Sequence, residues 1–251
     1  MKIDLHCHSN FSDGLARLDE IEDKCLRNGH SVILTDHNEV RGSIRLYERG
    51  IIKTIPALEV SSKEGIEFLI YFKDSQSCLD FYKKAVEPYR YKRFMVRLKN
   101  PAVNVLETAK QYECKISIAH PYGFGKKAIS FWKHPKETIN RIEKMINAVE
   151  IYNGNTPSKA NEKAFKFANS LSLPITVGSD GHNIESIGCV TKEINSDDIF
   201  GSLLDESLIN TEHNISMTKT GLIIAAEHTK YFIFTAEDKT ELIHQEIDRL
   251  W

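Results

Sequence analysis

The sequence predicts an α/β protein whose strands close, or nearly close, into a barrel, and three observations lead there. Short β-branched runs alternate with amphipathic stretches through most of the chain. Seven such runs precede residue 180, and this alternation implies parallel strands joined by crossover helices. Imidazole and carboxylate residues stand at the ends of five of the runs, on what would be one mouth of a barrel. An open doubly wound sheet is the competing architecture.

The elements follow in order. Residues 3–5 form the first strand, and the helical stretch 18–26 stops at Asn28-Gly29, a good C-terminal signal. Strands at 31–34, 54–58 and 67–72 come next, then helical spacing at 77–86 and 103–112. The strand at 115–119 leads to a helix at 135–146, and the strand at 148–152 leads to a helix at 159–171. A strand at 174–177 ends the series. No linker divides this part, so residues 1–195 read as one barrel. Residues 196–251 read as closing elements of the same domain or a small subdomain: a short helix near 197–205, strands at 222–226 and 230–235, and a charged helix at 237–250.

Composition sets outer limits. The 251 residues are 41% apolar and 27% charged, as in a globular protein. A net charge of -2 gives no global attraction to nucleic acid or acidic membranes. No apolar run reaches the roughly 20 residues that span a bilayer. The first strand begins almost at once, so no signal peptide is expected. Five cysteines without metal-ribbon spacing read as free thiols in a reducing cytosol, and a cytoplasmic location follows as an expectation.

The polar residues carry the chemistry. His6 and His8 follow the first strand, and a His-x-His pair on extended chain turns both imidazoles to one side. Asp36 and His37 follow the second strand, Glu59 the third, His120 the fifth, and Asp180 and His182 the seventh. Each is a weak signal alone. Together they predict a divalent-metal centre, and a set made only of imidazole and carboxylate suits Zn, Mn or Fe better than a thiolate site.

These strings resemble the polymerase-and-histidinol-phosphatase, or PHP, superfamily. The resemblance rests on Asp4-Leu5-His6-Cys7-His8-Ser9 with Ser12-Asp13-Gly14, on Leu34-Thr35-Asp36-His37-Asn38 and on Ala57-Leu58-Glu59-Val60. Ala119-His120-Pro121 and Gly178-Ser179-Asp180-Gly181-His182 complete it. It implies a distorted seven-stranded (β/α)7 TIM-like barrel with a small C-terminal extension, and hydrolysis of phosphate esters with two to three divalent ions. Carried over, His6, His8, Glu59 and Asp180 would hold one ion. Glu59 would bridge to a second, with His120. Asp13, His37 and His182 would hold a third. Many members place a histidine in the fourth strand where this chain has Glu67, a carboxylate that prefers harder ions.

Further residues complete the expected pocket. Asp36 is expected to orient His37 or a neighbouring imidazole from behind, and Glu150 and Asn153 to support the pocket from the sixth strand. Arg41, in the loop after His37, and Lys126 and Lys127 are candidates for binding the substrate phosphate. The expected chemistry is attack on phosphorus by a hydroxide generated on the metals, with His37, His182 and Asp180 as the catalytic residues that handle protons and charge. The expected substrate is a small phosphorylated molecule, a nucleotide or sugar phosphate. The alternative is a 5′→3′ exonuclease or oligonucleotide-trimming enzyme. For that reading, residues 82–99 gather seven basic residues against Glu87, with Tyr89, Tyr91 and Phe94 interleaved. A silent structural module is the third reading, and the intact ligand set argues against it. Oligomeric state has no signal in the sequence.

Overall fold

A computed structural model describes residues 1–91, 97–123 and 134–211. Two sheets and seven α-helices build it. In the first sheet, β1 (Lys2–Cys7) pairs in parallel with β2 (His30–Leu34) and antiparallel with β8 (Val190–Glu193). Strand β9 (Ile209–Thr211) extends β8, giving the order β2-β1-β8-β9. The second sheet runs β3 (Ala57–Ser61), β4 (Glu67–Phe72), β5 (Cys114–Ile118), β6 (Ala148–Asn153), β7 (Ile175–Gly178) in that spatial order.

The expected ring of parallel strands is corrected in two respects. First, β3–β4 and β4–β5 are antiparallel. The β3–β4 link spans only Ser62 to Ile66, with Gly65 at φ +81° and the Ser62 amide donating to the Ile66 carbonyl at 2.9 Å. A parallel crossover needs a dozen or more residues, so a hairpin is the only connection this length allows. Second, the described residues form two sheets and not one closed barrel. Their edges meet at isolated bridges, His37 with Glu59 and Cys7 with Gly181. The cause lies in β8, which was absent from the sequence reading. It occupies the edge of β1 at Lys2 and Ile3, so β7 reaches β1 only further along. There the Asp180 amide donates to the His6 carbonyl at 2.7 Å and the His8 amide to the Gly181 carbonyl at 2.9 Å. Gly178 permits this approach, since a Cβ there would lie 2.3 Å from that of His6.

The helices are α1 (Leu18–Asn28), α2 (Arg41–Arg49), α3 (Ser75–Phe81), α4 (Ala102–Ala109), α5 (Lys136–Glu143), α6 (Ser158–Leu171) and α7 (Ile199–Ser202). Helix α1 ends at Gly29, at φ +64°, as its stop signal predicts. Helix α2 replaces the loop expected around Arg41. Gly42-Ser43 hides it in the sequence, while buried Ile44 and Leu46 and the left-handed Gly50 cap define it. Strand β3 starts later than expected because Pro56 has no amide hydrogen for the ladder. The expected strands at 222–226 and 230–235 and the helix at 237–250 lie outside the described residues. No described helix is long and apolar enough to cross a membrane.

The core explains why carboxylates sit inside. Phe68, Ile70 and Phe72 of β4 join one apolar cluster against the helices, whereas Leu69 and Tyr71 join a second with Ile3, Leu5 and Ile33. Strand alternation puts Glu67 on the Leu69 and Tyr71 face, and Glu59 on the Ala57 face of β3. Ile199, Phe200 and Leu203 belong to that second cluster, so the chain beyond residue 195 shares a core with β1.

Candidate metal centre

Ligand-type side chains from both sheets converge on one pocket. Four sets have their ligand atoms within 4.8 Å of one another: His6, His8 and Asp180; His6, Glu59 and His120; His37, Glu59 and Glu67; and His8, Asp13, His37 and His182. All nine residues expected to hold metal are among them. The first three sets form an inner group and the last an outer group, with His8 and His37 shared.

The inner group is buried except for Asp180. His120 Nε2 lies 3.1 Å from Glu59 Oε1 and 3.5 Å from Glu67 Oε2. Glu67 therefore faces the pocket, with His37 Nδ1 3.9 Å from its Oε1. Glu59 Oε2 lies 2.9 Å from His37 Nδ1 and 3.5 Å from Nε2 of both His6 and His8. His8 Nε2 is 3.1 Å from Asp180 Oδ1. In the outer group Asp13 bridges the imidazoles, its Oδ2 3.6 Å from His37 Nε2 and 3.4 Å from His182 Nε2. Asp13 and His182 keep 12% and 11% of their side-chain surface exposed, and with Asp180 at 14% they line the open side of the pocket.

Hydrogen bonds set the tautomers. His182 Nδ1 lies 2.8 Å from the Asp180 carbonyl oxygen, which can only accept, so Nδ1 carries the proton and Nε2 is left for the pocket. His6 Nδ1 donates to Glu150 Oε1 at 2.8 Å and leaves its own Nε2 to the pocket. Glu150 Oε2 also accepts from the His120 amide at 2.7 Å and from Asn153 Nδ2 at 3.1 Å, and Asn153 Nδ2 reaches Asp180 Oδ2 at 3.3 Å. Glu150 and Asn153 thus bond to the ligand-type residues His6, His120 and Asp180. His120 and Asp180 occupy left-handed backbone, at φ +24° and +51°. Holding a non-glycine residue there costs on the order of 1–3 kcal/mol, which the surrounding bonds must offset.

The electrostatics call for cations. Burial and the facing His182 and His37 push His8 down to about 3. Burial would lower His182 too, but Asp13 holds it up at about 10. Burial opposes the charged form of His120 as well, and Glu59 with Glu67 holds it at about 9. Desolvation opposes ionised Glu59, Asp13 and Asp180, yet neighbouring imidazoles keep all three well below the usual carboxylate range. Protons are the only positive charge these groups share. The buried His8 Nδ1 has no hydrogen-bond partner among the described residues, and Glu59 Oε2 faces ring nitrogens of His37, His6 and His8. Such atoms, in a hard-to-borderline donor set, fit divalent ions.

Three expectations meet a different arrangement. Asp36 bonds to Ser9 and Ser12 and not to an imidazole: Oδ1 accepts from the Ser9 amide at 2.8 Å and from Ser12 Oγ at 2.6 Å. Arg41 folds back onto Glu39, Nε to Oε1 at 2.8 Å and Nη2 to Oε2 at 2.6 Å. Arg90, from the basic segment, is largely buried, with Nη1 3.2 Å from the same Glu39 and 2.7 Å from the Tyr82 hydroxyl. Lys126 and Lys127 lie outside the described residues. Sequence reasoning missed Glu39 as the partner of both arginines, and its place two residues after His37 was the only clue. It also missed Asp4, whose carboxylate accepts from the Ser179 hydroxyl, from the Ser179 and Gly188 amides at 2.9 and 2.8 Å, and from the His6 amide at 3.1 Å.

Comparison with known proteins agrees with this site. The PHP domain model matches residues 4–113 and the PHP-associated model matches residues 158–207, more than half of the chain between them. The chain thus carries a PHP domain followed by a PHP-associated segment, and it is a hydrolase acting on phosphate esters. In structure it resembles PsfC from Pseudomonas syringae, with a TM-score of 0.63 at 12% identity, covering 91% of this chain and 98% of that one. A protein from Bifidobacterium adolescentis assigned as a metal-dependent phosphoesterase gives a TM-score of 0.55 at 14% identity, covering 90% and 96%. The lesion-specific endonuclease Q from Pyrococcus furiosus gives 0.63 at 18% identity, covering 83% of this chain and 57% of that one. At these identities the likeness establishes the fold. Among curated proteins none matches the sequence significantly.

Proposed function

We propose that the protein hydrolyses the phosphate ester of a small molecule, a nucleotide or sugar phosphate, at a centre of two to three Zn, Mn or Fe ions. The observation that carries this reading is the convergence of His6, His8, His37, His120, His182, Asp13, Glu59, Glu67 and Asp180 on one pocket. The inner ions would take His6, His8, Glu59, Glu67, His120 and Asp180, and the outer ion Asp13, His37 and His182 with help from His8. Bound there, divalent ions neutralise phosphate oxygens, lower the pKa of water and align attacking and leaving oxygens.

The chain's own residues supply the rest. Glu150 fixes the ring of His6 and holds the His120 backbone. Asn153 steadies Asp180. His182 stands at the open side with His37 buried behind it, where the leaving alkoxide would need a proton, and Asp180 balances the charge of His182. Arg41, Lys126 and Lys127 are the proposed substrate-phosphate residues, with Glu39 setting the direction of the Arg41 guanidinium.

A second reading, cleavage of nucleic acid, draws on the fold likeness to endonuclease Q, which has been captured with a 27-mer duplex carrying an abasic lesion at its active site. Against it, Arg90 is spent internally on Glu39 and Tyr82, which shortens the basic track available to a strand. Metal-analysed protein assayed against mononucleotides, sugar phosphates and 5′-labelled oligonucleotides tests the choice. Turnover of a small ester, unchanged when Lys92 and Arg93 are replaced by Ala, supports the first reading. Oligonucleotide cleavage that weakens steeply with salt, with a slope flattened by about one unit per cation removed, supports the second.

A further inference from the structure

We infer that Asp36 is a positioning residue for the outer ligand group, acting through the loop that carries Asp13. This rests on reading the pocket as a multinuclear metal centre. Asp36 is fully buried, and its side-chain hydrogen bonds all go to that loop. Oδ1 takes the Ser9 amide and the Ser12 hydroxyl, and Oδ2 takes the Ser9 hydroxyl at 2.7 Å. The loop is tight, with the Ser12 and Gly14 amides both donating to the Ser9 carbonyl at 3.1 Å. Its far end is tied to the other outer ligand, the Leu15 amide donating to the His182 carbonyl at 2.8 Å. Asp13 therefore hangs between an anchor on Asp36 and an anchor on His182.

Two further contacts show that the anchor is built to fit. A Cβ at Gly42 would lie 2.7 Å from Asp36 Oδ2, so α2 packs directly against the back of this carboxylate. Ser12 Oγ lies 2.6 Å from Asp36 and 3.3 Å from Asp13 Oδ1, and it has one proton to give. With that proton on Asp36, the Asp13 oxygen is left for another partner. The Asp13 carboxylate is thus held in place with its Oδ2 facing His37 and His182. The inner ligands Glu59 and Glu67 need no such device, because ladder bonds of β3 and β4 fix them.

Asp36→Asn keeps the shape but puts an amide donor where Ser9 or Ser12 already donates. The measurements are metal content after saturation and desalting, release of each ion to a chelator, and the Tm of the chelated protein. The expected result is loss of one ion per chain, or about 10–100-fold weaker retention of one ion, with the others unchanged. Ser12→Ala, which removes one bond of three, should shift the same ion in the same direction by less. It carries the test if Asp36→Asn does not fold. Leu46→Ala, a core change in α2, is the control and should lower the Tm while keeping every ion. Unchanged retention of all ions overturns the inference, and so does equal weakening of all of them alongside the Tm. Wild-type protein that retains fewer than two ions overturns the multinuclear reading itself, a separate outcome because it needs no variant.

Discussion

The inner and outer halves of the centre are built from the same residue types and held by different means. The inner half draws His6, Glu59 and Glu67 from strands, the last two locked by the β3–β4 ladder and backed by the apolar layer around Leu69 and Tyr71, with His8, His120 and Asp180 just past strand ends. The outer half stands on turns: Asp13 on a tight loop, His37 past the end of β2, His182 past the end of β7. Ladder-borne ligands need only strand alternation to aim them. Turn-borne ligands need buried hydrogen-bond hubs, and Asp36 and Asp4 are those hubs. Side-chain type makes a metal ligand, and backbone support decides how firmly it is held.

The widest effect should come from an inner residue that also reaches the outer half. Asp180 touches His6, His8 and His182. Asp180→Ala, like His6→Ala, should bring hydrolysis to background and strip inner ions as well, read by elemental analysis beside a phosphate-release assay. Retention of full metal content with activity lost would break the idea that one residue serves both halves. Asp13→Ala should confine the damage to the outer half, with one ion fewer per chain and turnover down by about 100-fold. If it emptied the inner half too, the two halves would be a single unit and the comparison would fail.

Smaller changes sharpen the contrast. Glu150→Gln leaves the ladder intact but removes the charge behind His6, so inner-ion affinity should fall about tenfold while outer-ion release stays as in wild type. Proton release offers a test without mutation. In the metal-free protein His120 and His182 hold their protons up to about 9 and 10, whereas His8 loses its proton near 3. At pH 7 an ion that takes His120 or His182 must expel a proton, and one that takes His8 need not. Binding enthalpy measured in buffers of different ionisation enthalpy should therefore show release of about one proton or more per chain. No buffer dependence would contradict the assigned protonation states. The mildest change is Glu67→His, which should keep fold and stoichiometry and move preference towards zinc, seen in competition between Zn and Mn.

The convergence of ligand-type residues was legible because metal chemistry accepts few side-chain types and strand ends display them in register. Grouping was less legible: His37, assigned to the outer ion alone, also lies 2.9 Å from Glu59. The antiparallel β3–β4 hairpin was readable from Gly65 and a five-residue link, yet the dominant alternation pointed to a parallel ring. Strand β8 could not be foreseen, because its place on β1 depends on a contact between residues almost the whole chain apart. The hubs escaped for a related reason. Serines and aspartates bond to almost anything, so Ser9, Ser12 and Asp36 gain meaning only when the fold brings them together.

The bridges between the sheets carry one more consequence. Where the edges meet, the bridging residues are the ligand-type residues or their chain neighbours: His37 with Glu59, and Cys7, between His6 and His8, with Gly181, between Asp180 and His182. Ions held there would rivet two sheets that share few backbone bonds. Chelation should then leave each sheet's own amides slow to exchange with deuterium, while the amides of His8, Glu59 and Asp180 exchange much faster, as two cooperative units parting along one line.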